Sequence, residues 1–328
     1  MGSIRGLEGF PVKKWASLCL ATAMLVCAGC SQPAATPATP ATPAPKADGK
    51  KRVGAALLTQ THVFYQDMIA AMKAECEKEN LSLDLQIAEF DSRKQNDQIE
   101  TLISQGVDAL LVAPVDSAAM GPAIQSAQAK NIPVFTVDIA AHGVKVTSHI
   151  ASDNEKGGRL LGEYLGKLLG GKGKLAIIDH PIVASVQERT KGFVDAIAKF
   201  PEIQIVQRPA GEGQRDKAMR VCQDLLQANP DLNAIFGIND DSALGALAAV
   251  ESAGLQDKIV IVGFDGTPEA RDAIKAGRAL KADAVQFPDR IGTQAIQLVG
   301  KVLRGETVPE LSPVDVEIID AASLNAGK

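Results

Sequence analysis

The stretch FGINDDSALGAL, residues 236–247, compresses a strand end, three polar side chains and the start of a helix. The run AIFGI at 234–238 is apolar throughout. A strand without polar alternation is covered on both faces, as in a parallel sheet flanked by helices. Apolar residues of helical spacing resume at Leu244, Leu247 and Val250. Between the two stand Asn239, Asp240 and Asp241. One of the three suffices to cap a helix. Three, at the carboxyl end of a buried strand, stand where open α/β sheets bind their ligands.

Outward from this junction the same alternation recurs. Strands are expected at 53–58, 83–90, 109–113, 134–137, 175–178, 203–207, 234–238, 259–262 and 281–284. Amphipathic segments such as 64–79, 97–105, 156–169, 186–199 and 215–227 lie between them. Strand–helix repetition on this scale is the doubly wound α/β pattern. The array is too long for one open sheet of usual width. A seam is expected at TSHIASD, residues 147–153, a short extended segment ahead of the helix at Lys156. The expected fold is therefore α/β, with two doubly wound parallel-sheet lobes and a cleft between them.

Other polar and aromatic residues share the position of Asn239. His62, Phe64 and Tyr65 follow the first strand, Asp138 follows PVFTV, Asp265 follows IVIVGF, and Gln286 follows LKADAV. Arg189 opens the helix after LAIID. Carboxylates, amides, a guanidinium and aromatic faces together suit a sugar: planar polar groups pair with hydroxyls, and rings cover the C–H side. Singly, each has a plainer reading. Asp138 and Asp265 fit turn or cap positions, Phe64 fits a core, and Arg189 fits a solvated helix face. No Gly-x-Ser-x-Gly elbow or dinucleotide fingerprint is present, and GGKGK at 170–174 lacks the spacing of a phosphate loop. Catalysis has little support, and an α/β enzyme using Asp138 or Asp265 as base is the weaker alternative.

The formal charge of −5, without a basic patch, speaks against a nucleic-acid partner. Cys76 and Cys222 each fall on an apolar helical stripe and read as core residues, not as a disulfide. The four histidines show no ligand spacing, so no metal is implied, and no cofactor is expected. At the N-terminus, Lys13 and Lys14 precede an apolar stretch at 15–26, too short to span a bilayer, then Ala28, Gly29 and Cys30. This is an export signal, either a plain secretory one or one that resembles the lipobox of bacterial lipoproteins, with Cys30 as the acylated residue and Cys27 where Leu is usual. Residues 31–47, almost wholly Ala, Thr and Pro, form an extended tether of about 50 Å.

From about residue 53 to 319 the chain resembles the type I periplasmic sugar-binding proteins, the ribose-binding group in particular. The resemblance is carried by HIASDNEKGGRLLGEYL, ERTKGF, AIFGINDDSALGALAAVESAG, IVGFDGTPEA, QFPDRIG and PVDVE, in the family's order. It implies a lipid-anchored, monomeric receptor at the periplasm or cell surface that passes a small neutral sugar to an ABC permease. A sugar or autoinducer signal receptor without a transport role is the alternative. The repressors that share this fold carry a DNA-binding N-terminus, where this chain has an export signal. The resemblance further implies a three-strand hinge that crosses near Ser152, Phe287 and Asp315. The chain would then divide into a signal at 1–30, a tether at 31–52, an N-terminal lobe of 53–152 with 287–315, and a C-terminal lobe of 153–286 with 316–328.

The family's ligand positions correspond here to His62, Phe64, Tyr65, Asp138, Ile139, Arg189, Asn239, Asp265 and Gln286. Phe64 and Tyr65 would sandwich the sugar ring. Ile139 replaces an arginine, and His62 replaces an amide. Glu212 or Gly213 stands where a further aromatic is expected. With Arg189 alone against Asp138 and Asp265 the site is expected to be net negative. Asn239 is expected to hold ligand, with Asp240 and Asp241 starting the helix behind it. Ile139 disfavours ribose itself and favours a deoxy, methylated or differently shaped sugar.

Overall fold

The computed structural model describes residues 49–327. The export segment, Cys30 and the whole Ala/Thr/Pro stretch at 31–47 lie outside the described residues. Among the described residues no helix is long and apolar enough to cross a membrane.

Among the described residues, twelve strands form two six-stranded sheets. The first contains β1 (Lys51–Leu57), β2 (Leu81–Ile87), β3 (Ala109–Val112), β4 (Val134–Val137), β5 (Ser148–Ser152) and β11 (Leu311–Val314), in the order β11-β5-β4-β3-β1-β2. All its pairs are parallel. The second contains β6 (Lys172–Ile178), β7 (Glu202–Gln207), β8 (Ala234–Gly237), β9 (Val260–Asp265), β10 (Leu280–Val285) and β12 (Glu317–Asp320), in the order β12-β10-β9-β8-β6-β7. Here β12 runs antiparallel to β10, a departure from the expected all-parallel sheet at one edge. An edge strand arriving from a short connection need not follow the crossover geometry that makes its neighbours parallel.

The segment at 148–152, expected only as an extended seam, is β5, and it pairs with both β4 and β11. The expected strand 83–90 stops at Ile87 because Glu89 and Phe90 take left-handed φ values of 52° and 62°. The helix expected at 97–105 starts earlier, at Ser92, where Asp91 accepts the N–H groups of Arg93 and Lys94 and caps it.

Helices α1 (Val63–Lys78), α2 (Ser92–Ser104), α3 (Gly121–Ala129) and α9 (Pro288–Leu303) cover the first sheet, and α1 packs along α9. Helices α4 (Asn154–Leu168), α5 (Ala184–Ile197), α6 (Arg215–Ala228), α7 (Asp240–Ser252), α8 (Pro268–Lys275) and α10 (Ala321–Asn325) belong with the second. The central strands β3, β4 and β8 are buried along their whole length, which is why their sequences lack polar alternation. Cys76 and Cys222 are buried, unpaired core residues.

The tightest helix contact, α4 on α5, sets the position of Arg189. A Cβ on Gly158 would run into the carbonyl of Arg189, and one on Gly192 into the carbonyl of Glu155. The two backbones therefore meet where neither helix carries a side chain. Gly158→Ala is expected to force them apart and to lower stability by about 1–3 kcal/mol, read as a fall in melting temperature. An unchanged melting temperature would mean that the α4 and α5 backbones do not meet at Gly158.

Candidate functional site

The carboxyl ends of strands from both sheets face one cavity. Leu58, Thr59, His62, Phe64 and Tyr65 reach it from the end of β1, Phe90 from β2, and Asp138 and Ile139 from β4. His180 and Val183 reach it after β6, Gly213 after β7, Ile238 and Asn239 after β8, Asp265 from β9 and Gln286 after β10. Arg189 enters on the second turn of α5, with Ser185 and Val186 below it. All nine residues singled out by sequence thus line one space.

Asp138 and Asp265 are both buried, and both sit at positive φ, 62° and 136°. Such backbone costs on the order of 1–3 kcal/mol per residue and persists only where neighbours enforce it. Here the Asp138 N–H donates to Ile150 O at 2.8 Å, and the Gln286 N–H to Asp265 O at 2.9 Å. Asp138 Oδ2 accepts the Tyr65 hydroxyl at 2.7 Å. Burial, only partly opposed by Tyr65 and Arg189, pushes the Asp138 carboxyl up to about 6. Asp265 Oδ1 accepts Gln286 Nε2 at 2.6 Å, and its Oδ2 accepts the Asp240 N–H at 3.2 Å.

Arg189 is buried, with its guanidinium carbon 4.0 Å above the Phe264 ring. Its Nη1 donates to Ile238 O at 2.6 Å, and its Nη2 and Nε donate to Asn154 Oδ1 at 2.8 and 3.3 Å. A guanidinium carries five N–H donors, so two are left for the cavity. Burial lowers its pKa, and the facing Asp265 and Asp138 oppose that shift. Asn239 is the N-cap of α7: its Oδ1 accepts Ser242 N at 2.9 Å and its Nδ2 donates to Gly213 O at 3.1 Å. One N–H of the amide remains.

His62 corrects the expected charge of the site. Its Nε2 lies 3.2 Å from Asp265 and 3.8 Å from Asp241, both on the second sheet's side, while His62 itself precedes α1 on the first. Burial lowers the imidazole's affinity for a proton, but Asp265, Asp241 and Asp240 together raise its pKa to about 9. Its Nδ1 accepts the Phe64 N–H at 3.1 Å, capping α1, and this works against protonation. A cap bond of that kind is worth about 1 kcal/mol, less than the pull of two carboxylates within bonding range of one buried ring. Carboxylates of the other lobe thus draw His62 toward its protonated form, and with Arg189 it offsets part of the negative charge expected for the site. The sequence reading treated position 62 as an amide substitute and missed this, because the charge comes from residues about 200 positions away.

Two further expectations change. Phe64 and Tyr65 do not form parallel plates, since their rings meet edge-on at 70° with centroids 5.5 Å apart. Tyr65 is turned by its hydroxyl's bond to Asp138. At the altered loop it is Gly213 that lines the cavity, while Glu212 pairs with Lys217. Asp240 and Asp241 do start α7, but Asp240 is fully buried and Asp241 bonds Arg215 at 3.0 Å as well as facing His62.

The lobes also meet outside the cavity. The Ser117 N–H donates to Ile182 O at 3.2 Å, and Ser117 Oγ accepts the Ala184 N–H at 2.9 Å. Val183, the N-cap of α5, offers no side-chain bond, so a residue following β3 caps the helix that carries Arg189.

Comparison with known proteins gives one consistent picture. The family model for the periplasmic binding protein domain matches residues 53–307. The ribose import binding protein of Salmonella typhimurium is 35% identical over 274 residues, covering 83% of this chain and 92% of that one. The ribose import binding protein of Bacillus subtilis is 34% identical over 302 residues, covering 90% and 95%. Among solved structures, an ABC transporter solute binding protein from Mycobacterium smegmatis with bound glycerol superposes with a TM-score of 0.81. It is 35% identical, and the match covers 85% of this chain and 96% of that one.

Proposed function

The chain belongs to the periplasmic binding protein family, and from that premise we propose that it is an extracytoplasmic receptor that binds a neutral monosaccharide or polyol and delivers it to an ABC permease. The observation that carries this reading is the set of polar atoms left for a ligand inside one cavity. Two Arg189 N–H groups and one Asn239 N–H can donate. The buried Gln286 Oε1 has no partner and can accept, as can Asp138 Oδ1. Donors and acceptors in near balance suit a neutral molecule that bears several hydroxyls. Binding without turnover is the proposed activity, with no cofactor.

Ile139, Phe64, Phe90, Val183 and Val186 supply an apolar wall. A ligand hydroxyl pressed against Ile139 would lose its hydrogen bond, at about 1–3 kcal/mol. A ligand with one deoxy, methyl or C–H edge fits that wall better than ribose. The lobes, drawn at 53–152 with 287–315 and at 153–286 with 316–328, would hinge at three connecting segments and close on the ligand. Acylation at Cys30, by a thiol-linked diacylglycerol and an amide-linked acyl chain, would supply the two anchors that stable attachment needs. The tether at 31–52 would hold a monomeric receptor off the membrane at the periplasm or cell surface.

The test is a thermal-shift screen of the domain from Lys50 onward with ribose, other pentoses, hexoses, deoxy sugars, polyols and nucleosides. A ligand that binds only the folded state raises its melting temperature. A shift with one neutral sugar or polyol supports the reading, and none across the panel overturns it.

Affinity should also depend on pH on both sides of neutrality. Below about 6, protonation of Asp138 removes an anionic acceptor. On the alkaline side, Asp265 and Asp241 across the cleft raise the His62 pKa from an ordinary 6.5 to about 9, so a closure that brings them against the ring would take up a proton. The closed state therefore keeps its full advantage below 6.5 and loses it as the pH rises through about 9, by up to about tenfold per pH unit. Calorimetric titrations across this range with the tightest compound of the panel would show the fall, and His62→Gln should flatten the alkaline limb.

A further inference from the structure

Beneath Asp265 lie two carboxyl groups that ligand binding does not use directly. Asp240, on the first turn of α7, is 1% exposed, and Asp283, in the middle of β10, is wholly buried. Asp240 Oδ1 and both oxygens of Asp283 have no hydrogen-bond donor. They converge on one spot over Gly263, since a Cβ built there would lie 3.0 Å from Asp240 Oδ1 and 3.2 Å from Asp283 Oδ2. Two ionised carboxylates cannot share a dry site at this range, whereas a single proton turns the clash into a hydrogen bond. The other oxygen of Asp240 is engaged: Oδ2 accepts the Thr267 N–H at 2.7 Å. A backbone N–H donor to that oxygen favours the ionised form of Asp240, whereas Asp283 has no donor at either oxygen, so the proton is placed on Asp283.

We propose that Asp283 and Asp240 hold one proton between them at neutral pH, with un-ionised Asp283 donating to Asp240 Oδ1, and that this bond positions the loop bearing Asp265. The positioning role rests on the reading of Asp265 as a ligand contact, and the proton itself does not. The connection is short. Asp240 N–H binds Asp265 Oδ2 at 3.2 Å, and Asp240 Oδ2 holds Thr267, so the turn 265–267 is grasped on both sides by one residue. That turn contains Asp265 at φ 136° and Gly266 at φ 75°, where a Cβ would press on Val285. The charged groups facing the pair are Asp265 from β9, Arg271 from α8 and His62 from the other lobe. Burial, then the charge of Asp240, push the Asp283 carboxyl well above the ordinary aspartate range.

The proton has a measurable consequence for stability. In the unfolded chain Asp283 ionises as an ordinary aspartate, while in the folded protein it keeps its proton to higher pH. The folded state thus loses stability relative to the unfolded one as the pH rises through that interval. Asp283→Asn supplies a permanent N–H donor of the same shape and has no proton to lose.

The experiment uses ligand-free protein, so its outcome is independent of the sugar screen. Infrared difference spectra of the wild type minus D283N near neutral pH are expected to show the carbonyl band of a protonated carboxylic acid. Melting temperatures of the two proteins should diverge as the pH rises above about 4, where the unfolded aspartate ionises, with D283N higher by about 3 °C or more at the alkaline end. Asp283→Leu, which leaves Asp240 Oδ1 unpaired, should melt lower than either and speed amide exchange at Thr267, while D283N leaves that amide protected. Absence of the acid band together with parallel melting profiles would overturn the shared proton. Equal exchange at Thr267 in all three proteins would overturn the positioning role.

Discussion

Replacing Asp265 by alanine is expected to weaken ligand binding by about 100-fold or more, the largest loss of affinity for any single side chain of the cavity. Removing one partner of a buried, hydrogen-bonded charge pair costs about 2–5 kcal/mol, much of it from the groups left behind. Asp265 has three such partners: Gln286 Nε2, the Asp240 N–H and His62 Nε2. Two of them belong to its own lobe, and the third crosses the cleft. Without the carboxylate, His62 keeps only the more distant Asp241 at 3.8 Å, and closure loses its main electrostatic tie along with the ligand's acceptor. The measurement is a calorimetric titration of Asp265→Ala beside wild type, with circular dichroism to verify folding. A dissociation constant within threefold of wild type would remove Asp265 from the site.

Arg189→Met should show the largest combined effect on stability and binding. The methionine keeps most of the apolar contact over Phe264 but removes every donor and the charge. Asn154 Oδ1 and Ile238 O lose their partner, and Asp138 and Asp265 remain buried with one cation fewer. Breaking a buried pair from one side costs about 3–5 kcal/mol. For a chain of this size that is a fall of roughly 6–15 °C in melting temperature. Some of the loss should return at low pH, where Asp138, already pushed up to about 6, takes a proton and no longer needs the cation. A variant that melts like wild type at neutral pH would show that the guanidinium does not balance these carboxylates.

How much of this could be read beforehand follows from where each determinant lies. The strand ends that carry Asp138, Asn239, Asp265 and Gln286 were legible because a buried parallel strand is a continuous apolar run and its end is marked by the first polar residue. Phe90 follows the same rule but was absorbed into the preceding strand. Nothing local announces that Glu89 and Phe90 leave β geometry for positive φ. β5 and β11 were hard to read because four- or five-residue segments with polar positions barely differ from loop. The charge of His62, the proton assigned to Asp283 and the bond from Ser117 to α5 all arise between segments far apart in the chain. No window along the sequence contains both partners.

The order in which strands enter the two sheets bears on how the chain reaches this state. β11 completes the edge of the first sheet and β12 that of the second, while α9 lies against α1, so the last forty or so residues finish both halves at once. Until they emerge, β5 and β10 present open edges, and the face of α1 that α9 covers has no cover. Neither half can reach its final packing before α9, β11 and β12 are in place. A chain of this topology stays loose until residues 288–320 can join both sheets. The same long-range closure predicts slow refolding from denaturant, because distant segments must meet before either half is rewarded.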